Sequence, residues 1–445
     1  MDSILSINSL KKVGLYSLIV ASLTSASFVE AKTDITFWHA MSGQLGEEVN
    51  GLVQQFNASQ NDFEVSAVYK GNYDETITAG IAAIRTGESP EILQVYEVGT
   101  ATMISSNAIV PVYEVFEKAN LPFDESLYVD TVRSYYTDSQ SGRMLSMPFN
   151  SSTPVLYYNK DAYKKAGLDP KTPPKTWQEV ETHAKKLLES GMSCGYTFSN
   201  APWVHLENFS AWHGLPFATL NNGYDGLSAE LQVNTANHIN FLNFLNQMNK
   251  DKTLQYFGRR DEGMEKFYNG DCGIFTGSSG SRGSIEANAK FELGMGFLPY
   301  LEGISSAPQN TMIGGASLWV MKDKSEDTYK GIAAFLSYLA LPENAARWHQ
   351  NTGYVPVTLA GYELTKQQGF YDKNPGANVA IEQLLFKEPL PHTRGLRLGN
   401  MTQIRQIADE EFEAVLTGQK SPESALNDIN TRANQQLRRF EKSNQ

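Results

Sequence analysis

DITFWHAMSGQLGEEVNGLVQQFNASQNDFEVSAVYKGNYDETITAGIAAIRTGESPEILQVY, residues 34–96, is the stretch whose reading decides the fold. Asp34-Ile35-Thr36-Phe37-Trp38 has the composition of a strand. Gln44 to Asn57 then places apolar Val49, Leu52, Val53 and Phe56 at helical spacing. Phe63 to Tyr69 predicts a second strand, Tyr73 to Arg85 a second helix and Glu91 to Tyr96 a third strand. That is a βαβαβ order, the pattern of an open parallel sheet in an α/β protein. Ligands of such sheets bind beyond the carboxyl ends of the strands, where Trp38-His39, Gly71-Asn72-Tyr73 and Tyr96-Glu97 fall.

Further along, a second unit of the same kind starts after Pro148. Val155 to Tyr158 predicts a strand, Lys160 to Ala166 a helix closed by Gly167, and Thr176 an N-cap with Glu179 at the third helical position. Phe291 to Pro299 and Gly314 to Met321 suggest further sheet. Helices are expected at Glu326 to Leu341, Pro342 to Asn351 and from about Thr402 to Glu441. No internal repeat or low-complexity linker separates the units, so several short crossings are expected to join them.

At the amino end, Lys11 and Lys12 precede an apolar run from Val13 to Leu23 and then small residues, the make-up of a secretory signal peptide. Residues 1–31 are therefore expected to be a leader, with the mature chain starting near Lys32 or alternatively at Phe28. No cysteine follows the apolar run, so release without a lipid anchor is expected. Roughly 410 residues then remain, more than one core usually serves, and two lobes are the natural outcome. The net charge of −12, with no Lys/Arg cluster, argues against nucleic acid or an anionic membrane as partner. An anionic ligand would have to be held by local donors. Cys194 and Cys272 have no metal or redox spacing. In an exported chain they either pair or stay as buried thiols; pairing is favoured, and would add about 3–5 kcal/mol in the chain-entropy model.

DCGIFTGSSGSRGS, residues 271–284, is a short apolar run that ends in a loop of glycine and serine. Glycine allows positive φ and close approach, and serine adds rotatable donors, so consecutive N–H groups there could converge on a phosphate. On composition alone a flexible surface loop is the commoner outcome. An enzyme reading, a secreted glycosidase or phosphodiesterase, finds little support: there is no HExxH, GxSxG or Walker loop, and the seven histidines lack metal-ligand spacing. His39 and His205 lie near the strand ends but read as structural or rim residues.

FWHAMSGQLGEEVN, YKGNYDE, ILQVYEVGTATM, PFNSSTPVLYYNKDA, LENFSAW, EKFYNGDC, GGASLWVM, TGYVPV and GLRLGNMTQIR, in this order between Ile35 and Lys442, together resemble the glycerol-3-phosphate-binding periplasmic proteins of the ABC importer family. The resemblance implies a type II periplasmic-binding-protein fold: two α/β lobes with a hinge and a central cleft, comprising residues 32–148 and 293–352, and residues 149–292 and 353–445. It implies a monomeric, non-enzymatic periplasmic protein without cofactor or metal. Such a protein binds a small organophosphate, glycerol 3-phosphate or a glycerophosphodiester, and hands it to a permease with ATPase subunits.

Carried over residue by residue, the resemblance assigns Tyr73 to the glycerol carbons, Glu97 to two glycerol hydroxyls and Ser152 to a donor at the mouth of the second lobe. Ser278, Ser279 and Gly280 are implied as phosphate donors, Gly315 as an exposed backbone N–H and Tyr354 as a phenol to phosphate. Arg405 is implied as the bidentate phosphate counter-charge, with Arg397 in reserve. One departure stands out. Relatives carry a WQGW-type segment shortly after CGY, whereas this chain reads CGYTFSNAPWVHLENFSAW. Trp203 aligns with the second tryptophan, and Asn200 takes the place of the first. Loss of that ring removes apolar surface for glycerol and leaves room for a larger diester such as glycerophosphocholine, with Trp203, Tyr157 or another aromatic facing choline.

Overall fold

The structure, a computed structural model, describes residues 32–304 and 306–444; the expected leader, residues 1–31, lies outside them. The strands are β1 (Thr33–His39), β2 (Phe63–Tyr69), β3 (Ile92–Tyr96), β4 (Ile109–Val110), β5 (Met147–Ser152), β6 (Pro154–Asn159), β7 (Cys194–Phe198), β8 (Cys272–Ser278), β9 (Leu293–Gly296) and β10 (Gly314–Met321). They form two sheets, one in the order β2-β1-β3-β10-β4 with β5 also on β10, the other β7-β8-β6-β9.

In the first sheet β1 runs parallel to both β2 and β3, as the alternation of residues 34–96 predicts. Its helices follow the expected spacing: Gly43–Ser59 buries Val49, Leu52, Val53 and Phe56. The helix Tyr73–Thr86 starts in a capping box between Asn72 and Glu75 and stops at left-handed Gly87. The sheet is nonetheless not purely parallel. β10 inserts antiparallel to β3, β4 and β5, so a strand far away in sequence completes the sheet. No local period encodes that pairing.

The second sheet has β7 parallel to β8, and β6 antiparallel to β8 and β9. Cys194 and Cys272 stand opposite each other on β7 and β8 and are joined as a disulfide, the favoured of the two expectations. Thr176 caps the helix Trp177–Glu189 with Glu179 completing its box, as predicted. The expected helical tail is two helices, Met401–Leu416 and Pro422–Ser443, parted by a turn and a new cap at Ser421.

The lobe boundaries expected from the resemblance need correction at the level of pairing. β9 bonds to β6, so Leu293–Gly296 belongs to the second sheet, whereas the expected boundary at 292/293 places it in the first lobe. Similarly, β5 stays in the first sheet as far as Ser152, and the chain crosses through the single residue Thr153 into β6. Beyond 352 the chain still touches the first lobe: Gly361 packs on Ala345 of the helix Pro342–Thr352. The crossings are short, as expected from the absence of a linker. The junction is also tied: Thr153 N–H donates to Ser279 Oγ, and Gln383 donates to Thr153 Oγ1 and Pro154 O.

Candidate functional site

The carboxyl ends of β1, β2 and β3 place the first half of the site. Asn72 Oδ1 accepts from Glu75 N–H and Glu75 Oε2 from Asn72 N–H, which fixes Tyr73 as the first residue of its helix. The Tyr73 ring stacks on Tyr96 with centroids 5.1 Å apart and nearly parallel ring planes. Its hydroxyl accepts from Asn150 Nδ2 at 2.6 Å. Asn150 Oδ1 in turn accepts from Gln94 Nε2, and Gln94 Oε1 from Ala40 N–H. This buried chain sets the phenol's position from the centre of the sheet. Burial, then the neighbouring Tyr354, pushes the Tyr73 pKa well above its ordinary value, so the phenol stays protonated. Gln94 and Asn150 are absent from the residues expected from sequence. The signal that could have found them is a lone amide in each of two otherwise apolar or small-residue strands, ILQVY and MPFNSS.

Glu97 opens the short turn after β3 and is almost wholly buried. Arg405, on the helix Met401–Leu416, donates from Nη2 to Glu97 Oε1 at 2.7 Å. The same guanidinium grips Glu207 through Nε to Oε1 at 2.9 Å and Nη2 to Oε2 at 2.6 Å. Burial raises the Glu97 pKa, Arg405 pulls it down and Glu207 pushes it up. Burial alone would lower the arginine's pKa, but Glu207 and Glu97 hold it well above the usual value. The implied phosphate counter-charge is therefore already shared between two carboxylates. Glu207, in the quoted block LENFSAW, is a site residue that sequence reasoning misses, because an acidic residue beside an apolar run ordinarily faces solvent.

Contrary to a convergence of free N–H groups, the serine turn after β8 is knitted to the crossing. Ser279 N–H donates to Thr153 O, Ser278 Oγ accepts from Gly280 N–H, and Tyr157 OH donates to the carbonyls of both serines. What remains exposed to a ligand is the half-buried Ser278. Gly280 is needed for close approach, since a Cβ there would stand 2.5 Å from the ring of Tyr354. Tyr354 stacks on Trp348, and its hydroxyl points to Met41 Sδ. Arg282, within the same loop, is buried between Glu286 and the carbonyl of Gln350 and braces the turn against the helix Pro342–Thr352.

Ser152 ends β5 opposite Gly314. Gly315 has φ +88°, and a Cβ on it would lie 1.9 Å from Asn150 O; a register shift follows one residue later. Trp203 packs its ring on Gly314 and, among the described residues, its buried Nε1–H has no partner. Asn200 is half-buried in the left-handed region at φ +55°, a conformation asparagine adopts readily and a tryptophan would not. Arg397, the reserve arginine, spends its Nη2 on Tyr135 O and Thr137 O and lies over Tyr224. His39 and His205 are neutral by burial, with pKa values lowered to about 4 and about 3. No group of residues suited to a metal ion occurs among the described residues.

This arrangement draws on both sheets: the phenols, Glu97 and Gly315 from the first, the serine turn, Trp203, Glu207 and Arg405 from the second. Comparison with known proteins gives the same outline. The model of the bacterial extracellular solute-binding protein family matches residues 51–377. The sn-glycerol-3-phosphate-binding periplasmic protein UgpB of Yersinia pseudotuberculosis is 57% identical over 437 residues, 98% of this chain and 99% of the relative. Its counterpart in Salmonella typhimurium is 58% identical over 425 residues, 96% and 97% of the two chains. Among solved structures, UgpB from Mycobacterium tuberculosis in complex with glycerophosphocholine aligns with a TM-score of 0.78 at 23% identity, covering 92% of this chain and 99% of that one. Maltose-bound MalE3 of T. maritima aligns at 0.74 and 18% identity, over 90% and 99%. A sheet pair joined by short crossings, a site drawn from both and near-full-length identity place this chain in the bacterial extracellular solute-binding protein family, among the sn-glycerol-3-phosphate-binding periplasmic proteins.

Proposed function

We propose that this protein captures sn-glycerol 3-phosphate and glycerophosphodiesters in the periplasm and presents them, unchanged, to the permease and ATPase subunits of an ABC importer. The observation that carries the reading is the bridge from Arg405 of the second lobe to Glu97 of the first, beside the phenols of Tyr73 and Tyr354 and the Ser278 to Gly280 turn. An anion-binding cation and a polyol-binding carboxylate meet there across the junction of the lobes.

In this reading a ligand enters between the lobes and its phosphate takes up the open side of the Arg405 guanidinium, with Ser278, Gly315 and Tyr354 around it. Glu97 keeps the oxygen that Arg405 does not use for glycerol hydroxyls, and the ring of Tyr73 lies against the carbons. Closure is favoured because the ligand touches both lobes at once. Ser152 and Trp203 line the approach, and Asn200 widens it. Arg405 engages both oxygens of Glu207 and one of Glu97, a cation held between two carboxylates, which favours binding over the acid–base chemistry of a hydrolase's carboxylate pair.

The test is calorimetry of ligand-stripped mature protein against glycerol 3-phosphate and glycerophosphocholine in parallel, with a choline-release assay alongside. Binding of both is expected. Preference for the diester would make Asn200 the specificity determinant. Binding of neither, or sustained choline release, would sink the proposal.

A further inference from the structure

Glu207 lies at the end of a single turn of π-helix, Trp203–Glu207, a wider turn than the α-helix Asn208–Trp212 that continues it. Such turns are rare and concentrate at functional sites, because the extra residue turns side chains away from the ordinary helical register. Here the turn carries at its two ends Trp203, whose indole N–H has no partner among the described residues, and Glu207, both almost fully buried. The carboxylate grips Arg405 fork to fork through Nε and Nη2. Nη2 is shared with Glu97, and among the described residues Nη1 donates to no protein group. Both partners of the fork are assigned to the second lobe: the helix carrying Arg405 packs mainly on Pro422–Ser443 and also on Ala236–Lys250, while touching the turn Glu97–Gly99 of the first lobe, and Glu207 follows β7. Glu97 belongs to the first.

We propose that Glu207 is a positioning residue for Arg405. It fixes the plane of the guanidinium within the second lobe, so that one edge is committed, Nη2 faces Glu97 and Nη1 is left aimed at the incoming anion. The bond to Glu207 lies within one lobe and persists when the lobes part, whereas the bond to Glu97 forms only when they meet. Preorganisation of this kind removes the side-chain ordering that anion capture would otherwise require. The inference rests on the proposed role of Arg405 in holding the ligand's phosphate.

Removing a negative charge beside an anion site would by itself tighten binding. The proposal therefore requires that loss of the fork outweighs loss of the charge. Affinity for sn-glycerol 3-phosphate is measured by calorimetry for wild type, E207A, E207Q, R405A and E207A/R405A, with ligand-free melting curves to verify folding. E207A is expected to bind about 10-fold more weakly and E207Q within about 3-fold of wild type, since the amide keeps the side chain's length and one acceptor oxygen. The double variant should be no weaker than R405A, because Glu207 acts only through that arginine. E207A binding as well as or better than wild type, a folded E207Q as weak as E207A, or additive losses in the double variant would each overturn the assignment. R405A binding like wild type would instead remove the reading of Arg405 on which it stands.

Discussion

At the residue scale the site is decided by a few positions with no freedom to change. Gly315 has a left-handed backbone, and its absent Cβ would fall on the carbonyl of Asn150, the residue that orients Tyr73. Gly315→Ala should therefore destabilise the protein by roughly 2–5 kcal/mol, the combined cost of the strained φ and the clash, and should weaken ligand binding as well. A melting temperature and affinity unchanged from wild type would show that the strand relaxes there at no cost. Asn200 is the converse case: it stands in the left-handed region at φ +55°, which asparagine adopts readily. Most residues of the implied site are readable once nine short blocks are seen in order. Glu207, Gln94 and Asn150 are not, because a polar residue's burial is a property of its neighbours and not of its own type.

At the element scale the helix Tyr73–Thr86 links local sequence to function most directly. The structure forms a capping box between Asn72 and Glu75 within GNYDE. Because the cap fixes the first helical residue, and that residue is Tyr73, Asn72→Ala should cost about 1 kcal/mol of stability and also weaken binding several-fold through a displaced ring. Thermal melts and calorimetry on the same preparation separate the two effects; a stability loss with untouched affinity would show that the stack on Tyr96 alone holds the ring. The strands behave differently. β1 to β3 are evident from alternation, whereas the antiparallel insertion of β10 and the place of β9 in the second sheet depend on partners far away in sequence.

For the whole molecule, closure and pH are the relevant variables. Arg260, ahead of the helix Glu262–Tyr268, reaches across to Asp74 at 2.9 Å, and Asp74 also accepts from Tyr96 OH. The pair is solvent-facing and so worth little, about 0.2–1 kcal/mol. Arg260→Ala should therefore enlarge the ligand-free radius of gyration in small-angle scattering only slightly and weaken affinity roughly two- to five-fold, an effect that vanishes at high salt. An equal effect at all salt concentrations would place Arg260 in contact with ligand instead. Acid should destabilise the fold. His39, His213 and His349 are held by burial at about 4, and His205 and His238 at about 3, below the ordinary value of 6.5. The unfolded chain thus binds more protons, and the stability these groups contribute above pH 6.5 is lost as pH falls below it. Asp409 acts in the opposite sense: burial raises it from 3.8 to about 6, so stability is lost as pH rises from the ordinary value through about 6, and Asp409→Asn should raise the melting temperature at about pH 7 but not at about pH 4. With these histidines lowered together, the net expectation is a melting temperature that declines from about pH 7 to about pH 4.5; a flat profile would contradict the burial of these rings.

The sequence by itself determined the alternation of strands and helices, the cap at Thr176 and the family. These follow from local period, from turn chemistry and from short motifs, all of which act over a few residues. Only the tertiary structure decided that β10 runs antiparallel to β3 and that β9 joins the second sheet, that Ser279 spends its N–H on Thr153, and that Arg405 sits between Glu97 and Glu207. The reason is physical. Whether a donor is free or a carboxylate buried depends on which distant segment packs against it, and that is fixed by the energy of the whole fold rather than by any residue's immediate neighbours.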